Sequence, residues 1–157
     1  MPLKEFHIPR SLKRTIKKGE LEIRLNTAFS DVMAGCAAPA PDREETWINE
    51  DIFEAYTHLY QMGFAHSVET WRDGQLVGGL YGIALRGLFA GESMFSFERD
   101  ASKVALVYLV EHLKKKGFLL LDIQYMTDHL RRFGAVEIPA DTYKARLQVA
   151  MTLPVSF

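Results

Sequence analysis

Three polar side chains stand out against apolar surroundings. Asp122 and Gln124 lie in FLLLDIQYMTDH (residues 118–129), and Glu92 lies in LFAGESMF (residues 88–95). A lone carboxylate beside an apolar run is costly to desolvate, so something must compensate it. Two residues apart on an extended strand, Asp122 and Gln124 project to the same side. There they can form a relay: the acid accepts from the amide NH2 and fixes the amide carbonyl toward an incoming donor. The plainer alternative is that Asp122 caps the following helix or pairs with a base. Glu92 follows Gly91, where a ligand or a second backbone can come close. Alternation puts it on the face opposite Phe89 and Gly91, where an edge-strand acid would simply face water.

Other chemistries find less support. His66, His112 and His129 are too scattered for a metal site, and none is expected. Ser93, Asp128 and His129 supply the residue types of a nucleophilic triad, but no nucleophile-elbow pattern surrounds the serine. Neither a Walker loop nor a G-x-G-x-x-G run is present, which argues against nucleotide hydrolysis and dinucleotide binding. Most of Trp47, Tyr56, Trp71, Tyr81 and Phe89 read as core. Trp47 differs, because it follows a polar loop and precedes a helix cap, where a large ring would line a cleft. Arg10, Lys13, Arg14, Lys17 and Lys18 in PRSLKRTIKKG cover one side of a helix, with Leu12 and Ile16 on the other. They form either a solvated face or a ridge for a phosphate backbone.

The elements that must position these residues follow from periodicity. Pro9-Arg10-Ser11 starts a helix that Gly19 closes. LEIRLN alternates as a strand, and AFSDVMAGCAA reads as a helix. A Pro/Asp-rich loop follows at residues 37–45. Asn49 caps a helix carrying Ile52, Tyr56, Leu59 and Tyr60 on one face, ended by Gly63. AHSVETW and QLVGGLYGIA pair through Asp73-Gly74, a strong hairpin signal, and GLFAGESMF follows. Gly78-Gly79 inside a strand implies a bulge or a closely approaching ligand. DASKVALVYLVEHLKKKG is a helix capped by Asp100 and closed by Gly117. FLLLDI is a buried strand, and TDHLRRFG and ADTYKARLQVAM are helices.

At 157 residues and 48% hydrophobic, the chain suits a single domain over residues 1–157, including the basic helical segment 1–19. A net charge of -1 announces no polyanionic partner for the surface as a whole. The single cysteine, Cys36, excludes an intrachain disulfide and suits a reducing compartment. No stretch approaches the roughly 20 apolar residues of a membrane span, and MPLKEFHIPRSLKR is too polar for a signal peptide core. A cytoplasmic protein is expected. Three antiparallel strands feeding a strand–helix–strand crossover give an α/β mixed sheet flanked by helices, the order of an acetyltransferase-like (GNAT-type) fold. Ligands of such sheets bind beyond the carboxyl ends of strands, where Asp122 and Gln124 sit. The turn into the crossover helix, Phe97-Glu98-Arg99-Asp100, is acidic and lacks glycine, a poor cradle for the pyrophosphate of acetyl-CoA. No cofactor is expected, and the acyl donor should be something else.

TWI, EAY, AHSVETW, LVGGLYG, LFAGESMFS, ASKVAL, LLDIQYMTDHL, FGAVEIP and the late Tyr143 occur in the order and spacing of one family. Through them the chain resembles the leucyl/phenylalanyl-tRNA–protein transferases, from about Arg10 to Leu147. The resemblance implies that leucine or phenylalanine (or methionine) moves from an aminoacyl-tRNA to the N-terminal amino group of proteins beginning with Arg or Lys, marking them for N-degron proteolysis. It places the catalytic roles on Asp122, Gln124 and Glu92, and aminoacyl-adenosine contacts on Trp47 and Tyr56. The side-chain pocket would include Leu80, Phe89 and Leu106, and the basic ridge would contact tRNA. A monomer with no membrane partner is expected. Relative to the family's common form, this would be a short form without the N-terminal lobe; Ile123 replaces a frequent cysteine, and Ala140 a frequent arginine. Two other readings stay open: a same-fold transferase acting on N-terminal Asp or Glu, and a non-catalytic tRNA- or degron-binding module.

Overall fold

In a computed structural model, the described residues are 1–39 and 46–157; most of the Pro/Asp loop lies outside them. Five strands form one sheet in the order β1-β2-β3-β4-β5: Glu22–Leu25, Ala65–Arg72, Gln75–Leu85, Leu88–Ser96 and Leu120–Asp122. Neighbours are antiparallel except β4 and β5, which run parallel across the helical crossover. The β2–β3 hairpin turns on Asp73 (φ 50°) and Gly74 (φ 76°), the left-handed pair that its signal requires.

Helices cover both faces. On one side α2 (Phe29–Ala37) and α3 (Glu50–Gln61) enclose Phe29, Val32, Met33, Tyr81 and Phe95. On the other, α4 (Ala101–Lys116) packs Leu106, Leu109 and Leu113 against Val68, Leu80, Phe89 and Leu121. Strand alternation sorts Leu80 and Tyr81 into these two layers. The Asn49 side chain caps α3 by accepting from the Ile52 N–H at 2.9 Å. Helix α1 (Arg10–Lys18) buries Leu12 and ends on Gly19 at φ 68°. Short α5 (Asp128–Arg131) and α6 (Ala140–Ala150) complete the fold.

Three expectations change. Asp100 holds the N-cap position of α4 but makes no capping bond there; at φ 66° its carboxylate instead serves Lys103 at 2.6 Å and Thr15 at 3.4 Å. Of the two explanations for the glycine pair in β3, the bulge holds and the ligand gives way to a helix: the register with β2 skips Val77 between Thr70↔Gly78 and Trp71↔Leu76, and a Cβ on Gly78 would come within 2.5 Å of the Ala101 Cβ on α4. Strand β5 is shorter than FLLLDI, because pairing with β4 starts at Leu88↔Leu120 and ends at Ala90↔Asp122.

Candidate active site

The sheet itself makes the cleft. Between β3 and β4 the register jumps: Tyr81 faces Ser93 and Gly82 faces Gly91, leaving Glu92 as the extra residue of a β-bulge. Bulges bend a strand and re-aim the side chain they carry. Pairing of β4 with β5 ends just before this bend, so the two parallel strands separate at their carboxyl ends. Into the split opens an apolar cavity of about 190 Å³, walled by Leu80, Met94, Leu106, Leu109, Leu121 and Ile123. A dry cavity of roughly 150 Å³ takes up benzene, so a branched aliphatic or phenyl group has room here. Leu80 and Leu106, two of the residues the resemblance assigns to a side-chain pocket, line this cavity. Phe89 does not: it is fully buried, off the cavity wall, with its ring 5.4 Å from that of Phe157.

A hydrogen-bonded chain crosses the mouth of the split. The Tyr56 phenol lies beside the Glu92 carboxylate, and the Trp47 ring, itself half exposed, meets Tyr56 edge-on at 6.4 Å. The Gln124 amide NH2 donates to Glu92 Oε2 at 2.9 Å and to the Gly91 carbonyl at 3.3 Å. Asp122 Oδ1 accepts from the backbone N–H of Gln124 at 2.9 Å, and its Oδ2 from the Tyr143 hydroxyl at 2.7 Å. The relay therefore differs from the one that strand alternation predicts. Glu92, not Asp122, holds the Gln124 amide, because β5 ends at Asp122 and Gln124 turns left-handed at φ 59°. Such a conformation in a non-glycine residue costs on the order of 1–3 kcal/mol and collects at working sites. With the NH2 committed to β4, the amide carbonyl points the other way, and among the described residues no donor reaches it.

Burial, then the adjacent Glu92 carboxylate, pushes the Tyr56 phenol up to about 12. The bond to Asp122 does the same for Tyr143, also to about 12. Both phenols stay protonated at neutral pH and keep a proton to donate. A second cavity of about 400 Å³ opens on the outer side of β5, lined by Asp122, Gln124, Tyr125, Glu137, Tyr143 and Arg146. The strand end carrying Asp122 and Gln124 thus stands between an apolar chamber and a larger one of mixed lining.

The basic residues of α1 lie elsewhere on the surface. Arg10, Lys13, Arg14, Lys17 and Lys18 are all exposed, and among the described residues only Lys18 has an acid within reach, Glu20 at 3.9 Å. Ser93, Asp128 and His129 are joined by no hydrogen bond among the described residues. Those residues also contain no group of three or more His, Cys, Asp or Glu able to hold a metal. Two features of the site escape sequence reasoning: the bulge that aims Glu92, and Tyr143 as the partner of Asp122. The split following Gly91 was the available signal for the first; for the second, nothing in the sequence ties a tyrosine on α6 to β5.

This sheet, with a cleft between parting parallel strands, defines the acetyltransferase-like class of acyltransferases. Solved structures agree on the fold. An aminoglycoside acetyltransferase from a soil metagenomic sample superposes with a TM-score of 0.58 at 14% identity, covering 78% of this chain and 94% of its own. A possible acetyltransferase of Clostridium difficile gives 0.56 at 11% identity, covering 76% and 92%. The sequence narrows the class: the profile described as leucyl/phenylalanyl-tRNA protein transferase matches residues 1–148. A leucyl/phenylalanyl-tRNA–protein transferase of Phenylobacterium zucineum is 55% identical over the whole chain and 71% of its own length. One from Chlorobaculum parvum is 51% identical over the whole chain and 81% of its own. The chain belongs to the leucyl/phenylalanyl-tRNA–protein transferase family, and it is an aminoacyl-tRNA–protein transferase.

Proposed function

We propose that this chain moves leucine, phenylalanine or methionine from the 3′ end of an aminoacyl-tRNA to the α-amino group of a protein beginning with Arg or Lys. The product carries the residue that marks it for N-degron proteolysis. One observation carries the reading: the hydrogen-bonded Glu92–Gln124–Asp122–Tyr143 chain spans the mouth of an apolar pocket sized for such a side chain.

The reaction is aminolysis of an ester. The amine nitrogen forms a bond to the ester carbonyl carbon, the bond to the ribose 3′ oxygen breaks, and an amine proton ends on that oxygen. An α-amino group with pKa about 7.7–8.0 is already neutral in roughly a tenth of molecules at pH 7, so a strong base is not required. Orientation is the main demand, and it is worth several powers of ten in rate. The free carbonyl of Gln124 accepts from the attacking amine, while Glu92 fixes the amide's sense and Asp122 fixes its backbone. Trp47 and Tyr56 flank the adenosine end, and the apolar pocket takes the donor side chain through Leu80 and Leu106. The larger chamber outside β5 takes the acceptor, whose cationic side chain meets Glu137 there. The exposed α1 cations hold tRNA phosphates. No cofactor is needed; the protein works as a monomer in the cytoplasm, and among the described residues no helix is long and apolar enough to cross a membrane.

Replacing Asp122 by Asn removes the charge and leaves one acceptor oxygen where two now serve the Gln124 N–H and the Tyr143 hydroxyl. Transfer of labelled phenylalanine from Phe-tRNA to an Arg-started peptide should fall at least about 100-fold, the scale of a lost catalytic group. tRNA affinity should hold. Transfer at the wild-type rate would refute the assignment. A peptide array varying the first residue separates Arg or Lys from Asp or Glu acceptors.

A further inference from the structure

The ester must lie in the split between β4 and β5, whereas the free cations lie on α1; a single-stranded RNA end has to run between them. The structure contains a groove on that route. It opens at the turn from β4 into α4, has a volume of about 380 Å³, and is lined by Phe97, Arg99, Asp100, Lys103 and His129, among others. His129 also lines the apolar pocket, so the two spaces share a wall. At its other end the groove reaches α1, through the Thr15 hydroxyl that donates to Asp100 Oδ2 at 3.4 Å.

Phe97 is the unusual member. Its ring is 65% exposed, the second most exposed large hydrophobic residue among those described, and it rests edge-on against buried Phe95 at 4.9 Å. An exposed phenyl ring immobilised from beneath offers a flat face at little entropic cost, which is what base stacking needs. The groove's acids are already engaged: Glu98 pairs with Arg72 at 2.9 Å, and Asp100 with Lys103 at 2.6 Å and Arg99 at 3.8 Å. The Arg99 side chain remains 92% exposed and approaches Asp100 only through Nε, which leaves its outer N–H groups facing solvent for a phosphate oxygen.

We propose that this groove binds the single-stranded 3′ end of the tRNA donor, with an unpaired base stacked on Phe97 and the adjoining phosphate on Arg99. It replaces the pyrophosphate cradle that acetyltransferase-like folds place at this turn. The proposal rests on the aminoacyl-tRNA reading above, and assigns a path to the part of that donor lying between ester and double helix.

Two donors separate the terms: full aminoacyl-tRNA and an aminoacyl-adenosine, which carries the ester but none of the nucleotides that would enter the groove. Phe97→Ala should raise KM for aminoacyl-tRNA about fivefold or more, the scale of one lost stacking contact. KM for the aminoacyl-adenosine should move less than about twofold by the same reasoning, since no stacking contact is lost. Phe97→Trp should restore the tRNA value. Equal losses with both donors would overturn the groove, as would an unchanged KM for aminoacyl-tRNA. Titration of uncharged tRNA reads the same contact without chemistry. If the wild-type protein transfers from neither donor yet Phe97→Ala weakens tRNA binding, the parent reading fails and the groove stands; if transfer proceeds while Phe97→Ala binds tRNA like wild type, the groove fails alone.

Discussion

Glu69 and Asp122 are two carboxylates of one sheet, put to opposite uses. Glu69, in the middle of β2, is fully buried and saturated. Its Oε1 accepts from the N–H groups of Thr27 and Ala28 at 2.9 and 3.0 Å and from the Ser67 hydroxyl at 2.8 Å. Its Oε2 accepts from the Thr27 hydroxyl and from the Trp71 indole N–H at 3.3 Å. It ties the approach to α2 onto the sheet, supplying an acceptor for N–H donors that a helix start leaves open. Asp122 stands at a strand end, half-buried between two cavities, with two donors. A carboxylate whose lone pairs are all spoken for can only hold structure. One with spare capacity facing a cavity can respond to a substrate.

The sharpest way to break this contrast is Glu69→Ala. It strands several buried donors at once, so the fold should lose about 3–5 kcal/mol. Chemical denaturation checks this, and a loss under about 1 kcal/mol would show that the cluster is not structural. The corresponding change at the other carboxylate, Tyr143→Phe, takes away one charge-assisted bond from Asp122. It should slow transfer roughly tenfold and cost the fold less than Glu69→Ala does, at most the ~1.5–3 kcal/mol of one such bond. A midpoint that drops as far as in Glu69→Ala would make Asp122 a second structural acid.

Smallest is a pH effect on the side of the sheet away from Glu69. His66 and His112 both pack on the Phe157 ring, at 4.3 and 4.5 Å. Burial lowers the pKa of both, with His112 adding to the shift at His66, and Lys116 and Lys115 to that at His112. Their folded values lie below the ordinary 6.5, so as pH falls through that value the unfolded chain takes up protons first and stability declines. The melting temperature should drop by a few degrees between about pH 7.5 and 5.5. A His66→Gln/His112→Gln variant should show a shallower drop, His129 retaining its own share. An equally steep profile in that variant would locate the proton uptake elsewhere.

Much of this molecule was legible in its sequence, and the limit falls at a definite kind of fact. Period and punctuation are local properties: the α1 repeat with Gly19, the Asn49 cap, the Asp73-Gly74 hairpin and the alternation along β2 to β4 are each written within a dozen residues. The same local reading put Asp122 and Gln124 on one side of a strand end, and motif order gave the family and, through it, Glu92 as their companion. Local reading missed Glu69, which looked like any alternating strand acid, and the resemblance put Phe89 on a pocket wall, whereas its ring is buried against Phe157. Tertiary structure decided how the site residues are wired. A one-residue bulge aims Glu92, the early end of β5 turns Gln124 into the left-handed region, and α6 brings Tyr143 to Asp122. Each depends on where a distant segment comes to rest, because a hydrogen bond needs its partners within about 3 Å and a helical or strand period says nothing of what stands across a cleft.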